Sequence, residues 1–246
     1  MPTQKPTVNP GLRVARVPIM MYHYVSIPPP DADVYRLDLS VSPQAFDEQL
    51  AFLAYNGYRT IRASDLVEHL LYGAPLPEKP IVLTFDDGYA DAYDAAFPLL
   101  KKYGMVATFF VVTQYLESKK PGYATWAQLQ EMANAGMEIG SHTADHPDLR
   151  GKSIVFQNGQ IAGSKQLIEM RLPGVTVKTF CYPSGKYDAT TLAVLRMSGY
   201  LGAVTEIQGV RQTSDDVYEM RRIRVRGSYS LNDYAYWLNW FINSGR

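Results

Sequence analysis

Cysteine occurs once in the 246 residues, as Cys181, which excludes an internal disulfide and any cysteine-rich metal cluster. Histidine is almost as scarce: His23, His69, His142 and His146 are the whole set. Any imidazole chemistry must be built from these four, and none of them follows residue 146. No apolar run approaches the roughly 18 residues of a membrane-spanning helix, so no transmembrane segment is expected. Neither sign of charge is in excess, with Lys+Arg and Asp+Glu at 24 each. Nucleic acid and an anionic membrane surface therefore have no electrostatic support as partners. The first ten residues, Met-Pro-Thr-Gln-Lys-Pro-Thr-Val-Asn-Pro, are polar and proline-rich and contain no apolar core of signal-peptide length.

What is present is a 46% hydrophobic chain, long enough for one well-buried domain of barrel size. Residues 1–13 are expected to form a flexible tail and 14–246 the domain. Short apolar strands alternate with helical spacings, which predicts an α/β protein, either a parallel barrel or a doubly wound sheet. Val14–Tyr24 predicts a first strand ending near His23, and Ser42-Pro43 caps a helix with Phe46, Leu50 and Leu53 on one face. Further strands are expected at 81–85, 105–112, 137–141, 178–182, 202–205 and 219–226, with helices near 91–102, 125–135, 188–198 and from Leu231 onward. Residues 150–165 lack periodicity and are expected to be loop or insertion, with Gln166–Arg171 helical.

The strand Ile81-Val-Leu-Thr-Phe85 stops on Asp86, Asp87 and Gly88. Adjacent ionised carboxylates repel, so such a pair persists where something cationic sits beside it. A second apolar strand leads into His142-Thr-Ala-Asp-His146. Two histidines and one carboxylate make a three-ligand divalent metal site with open positions for water, as in hydrolytic zinc centres. The other carboxylate is then free to act as a base.

These residues also carry a resemblance. Thr84-Phe-Asp-Asp-Gly88 and His142-Thr-Ala-Asp-His146-Pro147, with Tyr103–Phe110 and the Gly136–His142 lead-in, resemble the polysaccharide deacetylases of carbohydrate esterase family 4, the NodB-homology domain. The resemblance implies a distorted (β/α) barrel that removes N-acetyl groups from amino-sugar polymers. It implies Asp87, His142 and His146 as metal ligands, with zinc the default and cobalt, nickel or iron fitting the same donors. Asp86 is then the general base for the attacking water, and Ser184, in Phe180-Cys181-Tyr182-Pro183-Ser184-Gly185, supplies a backbone N–H to the oxyanion. The family's third-motif arginine is replaced here by Cys181, and its late catalytic histidine has no counterpart. A segment similar to Met20-Met-Tyr-His23-Tyr24 occurs in poly-N-acetylglucosamine deacetylases, where the N-terminal histidine is the acid, so His23 is assigned to protonate the leaving amine. Arg222 is the candidate substitute for the orienting arginine.

Simpler roles compete for the same residues. Aspartate is favoured at helix N-caps and turns, which would account for Asp86 and Asp87 separately. The alternation Arg222-Ile223-Arg224-Val225-Arg226 predicts a solvated strand face with Ile223 and Val225 inward. Trp126 marks a helix start, and Cys181 is a small buried strand residue. The expected activity is N-deacetylation of a chitin-like, peptidoglycan or poly-N-acetylglucosamine substrate. The alternatives are an O-acetyl esterase acting on xylan and a non-catalytic carbohydrate-binding protein on the same scaffold. Such polymers lie outside the membrane, so a secreted or surface-attached protein is expected, with its oligomeric state open.

Overall fold

The computed structural model describes residues 11–244. Its strands in chain order are β1 (Val14–Arg16), β2 (Ile19–Tyr22), β3 (Tyr24–Val25), β4 (Ser40–Val41), β5 (Arg59–Ile61) and β6 (Pro80–Phe85). There follow β7 (Thr108–Val111), β8 (Glu138–Ser141), β9 (Thr179–Cys181), β10 (Gly202–Gln208), β11 (Arg211–Thr213) and β12 (Met220–Arg224). The helices are α1 (Val34–Leu39), α2 (Pro43–Tyr55), α3 (Ala63–Tyr72), α4 (Phe97–Lys102), α5 (Thr113–Glu117), α6 (Trp126–Asn134), α7 (Ile154–Arg171), α8 (Ala189–Met197) and α9 (Leu231–Ser244). No described helix is long and apolar enough to cross a membrane.

The parallel strands run in the order β2-β12-β10-β9-β8-β7-β6, and β6 pairs back onto β2, closing a seven-stranded barrel. An eighth strand, β5, is an annex. It pairs with Pro80–Val82 at the start of β6, while Thr84 and Phe85 pair with β7. The closed parallel barrel is the expected distorted (β/α) architecture, and closure explains its continuous apolar strands, which are buried on both faces.

Alternation along each strand sorts the side chains into two clusters. Met20, Leu83, Phe85, Phe109, Ile139, Phe180 and Ile223 face the outer helices, while Ile19, Val82, Phe110, Cys181, Val204 and Met220 belong to the second cluster, inside the barrel. The same parity carries Thr84, Asp86 and Arg222 into the lumen. This corrects the expectation for β12: Arg222 is 1% exposed and points inward, whereas Ile223 and Val225 pack outward against the helical layer. In a closed barrel the inside is not the apolar side by default, and a polar row at the mouth is tolerated when every member is bonded.

Two other expectations change. Pro18 interrupts the first strand, so the barrel strand is only Ile19–Tyr22. Residues 154–171 form one helix of 18 residues, capped by the Ser153 side chain. Its buried positions, Gln157, Gln160, Ile161, Ser164 and Ile168, have helical spacing, but the polar members erase the hydrophobic pattern. Of the expected tail, residues 1–10 lie outside the described residues, while the Arg13 backbone donates to Ser214 Oγ and its guanidinium to the Leu71 carbonyl.

Gly140 stands where Phe110 and the Thr179 carbonyl leave no room for a side chain. A Cβ there would sit 2.5 Å from the Phe110 ring and 3.1 Å from the Thr179 carbonyl oxygen. Gly140→Ala is expected to destabilise by about 1–3 kcal/mol through overpacking. Gly159→Ala, in α7 with nothing within 4 Å, should stabilise by up to about 1 kcal/mol. Urea unfolding midpoints of the two variants should therefore move in opposite directions.

Candidate active site and metal centre

Five of the residues singled out by sequence converge on one mouth because each stands near or just beyond the C-terminal end of a barrel strand. His23 follows β2, Asp86 and Asp87 follow β6, His142 follows β8, and Arg222 stands two residues before the end of β12, its long side chain reaching Asp86. His69 stands apart on α3, its Nδ1 2.6 Å from the Ala74 carbonyl oxygen.

Backbone geometry separates the two aspartates. Asp86 continues the strand ladder, its N–H donating to the Tyr22 carbonyl, so its side chain enters the lumen. Asp87 then adopts φ 74° and Gly88 φ 81°, turning the chain so that Asp87 faces the histidines. A Cβ on Gly88 would press on Val111 at 3.2 Å.

Asp86 is 3% exposed and receives both ends of a guanidinium: Arg222 Nη1 donates to Oδ1 and Nη2 to Oδ2, each at 2.8 Å. Arg222 also donates from Nε to the Thr205 carbonyl at 2.8 Å, from Nη1 to Thr84 Oγ1 at 3.1 Å, and from Nη2 to Cys181 Sγ at 3.3 Å. Every guanidinium N–H thus has an acceptor. Thr205 lies within the shift of register between β10 and β12. Cys181 in turn donates its S–H to Asp86 Oδ2 at 3.4 Å. Burial pushes that thiol up, so it stays protonated. Burial would also push the Asp86 carboxyl up, but the charge and hydrogen bonds of Arg222 outweigh it and hold Asp86 well below the usual carboxylate range. Asp86 is a locked anion.

Asp87 Oδ1 lies 3.3 Å from His142 Nε2 and 3.4 Å from His146 Nε2. His142 Nδ1 is 2.7 Å from the Cys181 carbonyl oxygen, which can only accept. Nδ1 therefore donates, and Nε2 is the nitrogen presented to Asp87. Burial is outweighed by the contacts with Cys181 and Asp87, so His142 is held well above its usual pKa and its Nε2–H donates to Asp87, a proton it would give up to a metal. Burial is opposed at Asp87 by its bond to His142, and the net effect lowers its carboxyl pKa. The three ligand atoms lie within 4.8 Å of one another and fit a divalent cation with open positions. Asp86, His142 and Cys181 also lie close together, but Asp86 is taken by Arg222 and the Cys181 thiol is protonated.

His23 is 3.9 Å from Asp86 Oδ2 through Nε2. Burial lowers its pKa, and the pull of Asp86 and Asp87 only partly offsets it, so the net direction is down. His23, Asp86, Asp87, His142, His146 and Ser184 all line one cavity of about 160 Å³. Ser184 is left-handed (φ 51°) within the Pro183–Gly185 turn. Among the described residues, four of the six non-glycine residues with positive φ, namely Asp87, Thr143, His146 and Ser184, belong to this site. Backbone strain is thus concentrated where the side chains must be aimed.

Sequence reasoning misses Gln160. From α7 its Oε1 accepts the Ala144 and Asp145 N–H groups at 3.1 and 3.0 Å, fixing the loop between the two histidines. The polar stripe Gln157, Gln160 and Ser164 at helical spacing is the signal that could have found it. Arg224 and Glu206, which also line the cavity, carry no motif.

With the barrel and this mouth defined, residues 73–203 match the family described as polysaccharide deacetylase, and the chain belongs to that family. It is 35% identical over 211 residues to the candidate polysaccharide deacetylase YxkH of Bacillus subtilis, covering 86% of this chain and 72% of that protein. It is 34% identical over 119 residues to the poly-beta-1,6-N-acetyl-D-glucosamine N-deacetylase of Escherichia coli K12, a match spanning 43% of this chain and only 18% of that protein. Among solved structures, the Streptococcus pyogenes deacetylase PplD in complex with acetate superposes with a TM-score of 0.82 at 29% identity, covering 91% of this chain and 98% of that one.

The ion pair sets a pH signature. Asp86 ionises below its unfolded-chain value of about 3.9, so the pair's contribution to stability is complete above that value. It is lost as pH falls through the lower native value. In Arg222→Met, burial pushes Asp86 up instead, and that variant regains stability on acidification. The gap between wild type and Arg222→Met should be about 3–5 kcal/mol at neutral pH. By urea unfolding it should narrow as the pH approaches about 4; a pH-independent gap would contradict the locked anion.

Proposed function

We propose that this polysaccharide deacetylase is a metal-dependent amide hydrolase that removes N-acetyl groups from an N-acetylglucosamine polymer, with a poly-β-1,6-linked chain as the first substrate to test. The observation that carries the reading is the placement of one ionised carboxylate, Asp86, between a buried arginine and a histidine, beside the Asp87–His142–His146 donors. The similarity to a named N-deacetylase supports the choice of polymer.

Asp87, His142 and His146 would hold the ion, with zinc the first choice for this donor set. A bound divalent ion supplies Lewis acidity, acidifying water and polarising the acetyl carbonyl. Asp86 accepts the proton of the attacking water, and Arg222 keeps it ionised and aimed. The Ser184 N–H stabilises the developing oxyanion. His23 delivers a proton to the leaving nitrogen, which would otherwise depart as an unstable amide anion. Because such polymers lie outside the membrane, the reading has the protein act as a secreted or surface-attached enzyme.

Asp87→Ala is expected to lose bound metal and acetate release together, measured by elemental analysis and an acetate assay. Asp86→Asn should keep a full metal complement and lose at least about a hundredfold in kcat. His23→Ala should slow release from N-acetylglucosamine oligomers far more than from an aryl acetate, whose leaving group needs no protonation. Equal losses on the two substrates would remove the acid role from His23. Wild-type turnover confined to acetylated xylan would replace the amide reading with the ester one.

A further inference from the structure

The catalytic cavity, about 160 Å³, has room for the acetamido end of one sugar and little more, so a polymer's neighbouring residues must bind elsewhere. A second cavity of about 280 Å³ adjoins it, and Arg224 lines both. Its walls are two kinds of surface. Ile223, Trp237 and Phe241 contribute apolar surface, Ile223 and Phe241 being buried and Trp237 half-buried. Gln208, Arg224 and Tyr229 contribute polar atoms.

Arg224 is the wall shared by the two cavities. Its Nη2 pairs with Asp38 Oδ2 at 3.0 Å, but its Nε is buried and has no hydrogen-bond partner. Nε is closed off from outside, but the side chain as a whole is 25% exposed, so the rest of the guanidinium can meet a ligand's acceptors at the cavity wall. Gln208, exposed at the cavity wall, uses its Oε1 to accept the Arg224 backbone N–H at 3.3 Å, which leaves its amide nitrogen as a donor for a ligand. A pyranose offers matching chemistry, with an apolar C–H face and ring-edge hydroxyls that accept and donate. Aromatic surface combined with a few planar polar groups is the composition that orients such a ligand.

We propose that this second cavity is a sugar subsite, receiving the residue next to the one being deacetylated. The sugar packs its C–H face against Trp237, and its hydroxyls engage the Arg224 guanidinium and the Gln208 amide. The inference rests on the polysaccharide reading above and extends it from one acetyl group to an extended chain.

The test uses the whole protein with N-acetylglucosamine oligomers of one to five residues. Trp237→Leu and Gln208→Ala are expected to lower kcat/KM on the pentamer about tenfold more than on the monosaccharide, roughly 1.4 kcal/mol of differential binding. Binding is followed separately by calorimetry in the Asp86→Asn background, where pentamer Kd should weaken in both variants. Equal effects on monomer and pentamer, with an unaltered pentamer Kd, would overturn the subsite. If Trp237→Leu fails to fold, Gln208→Ala decides alone, since Gln208 is exposed. Should the wild type release no acetate from any oligomer, the reaction fails, while the calorimetry still decides the subsite.

Discussion

A guanidinium and a carboxylate face each other inside the barrel mouth, both withdrawn from water, and the rest of the site follows from keeping them paired. Burying either charge alone costs several kcal/mol, and their attraction offsets that only with good geometry and with every remaining proton bonded. Arg222 meets both conditions through its two-pronged contact with Asp86 and its bonds to Thr205, Thr84 and Cys181. The irregularity between β10 and β12 and the small side chain at 181 can be understood as accommodations to that guanidinium. An anion held this firmly is unavailable as a metal ligand, so the neighbouring Asp87 is left to face the histidines.

The scaffold around the pair is stiff for related reasons. Gly140 lets Phe110 and the Thr179 carbonyl close the lumen beneath the site. Above it, the residues at positive φ turn Asp87, His146 and Ser184 toward one cavity, and the hydrogen bonds of Gln160 hold the intervening histidine loop in that shape. Strain of this kind persists only where surrounding contacts over-determine it, and a parallel barrel with buried strands provides such contacts.

Much of this was legible in the sequence. The run Ile81–Phe85 ending on two aspartates, and the paired histidines after a second apolar strand, mark strand ends at an active-site mouth without any structure. The inward direction of Arg222 was not legible from its strand alone, because Arg-Ile-Arg-Val alternates identically whichever face is inside. Only closure of the barrel decides. Helix α7 escaped for the opposite reason: its inner stripe is half polar, since it bonds loop backbone as well as filling the core. The second cavity depends on Trp237 of α9 meeting the end of β12, a long-range packing that local pattern does not encode.

The central claim is that pairing with Arg222 reserves Asp86 for chemistry and assigns the metal to Asp87, His142 and His146. X-ray absorption spectroscopy of the zinc-loaded protein tests it directly. The predicted first shell contains only nitrogen and oxygen, with the multiple-scattering signature of two imidazoles. A sulfur scatterer at about 2.3 Å would instead place the ion among Asp86, His142 and Cys181 and contradict the account.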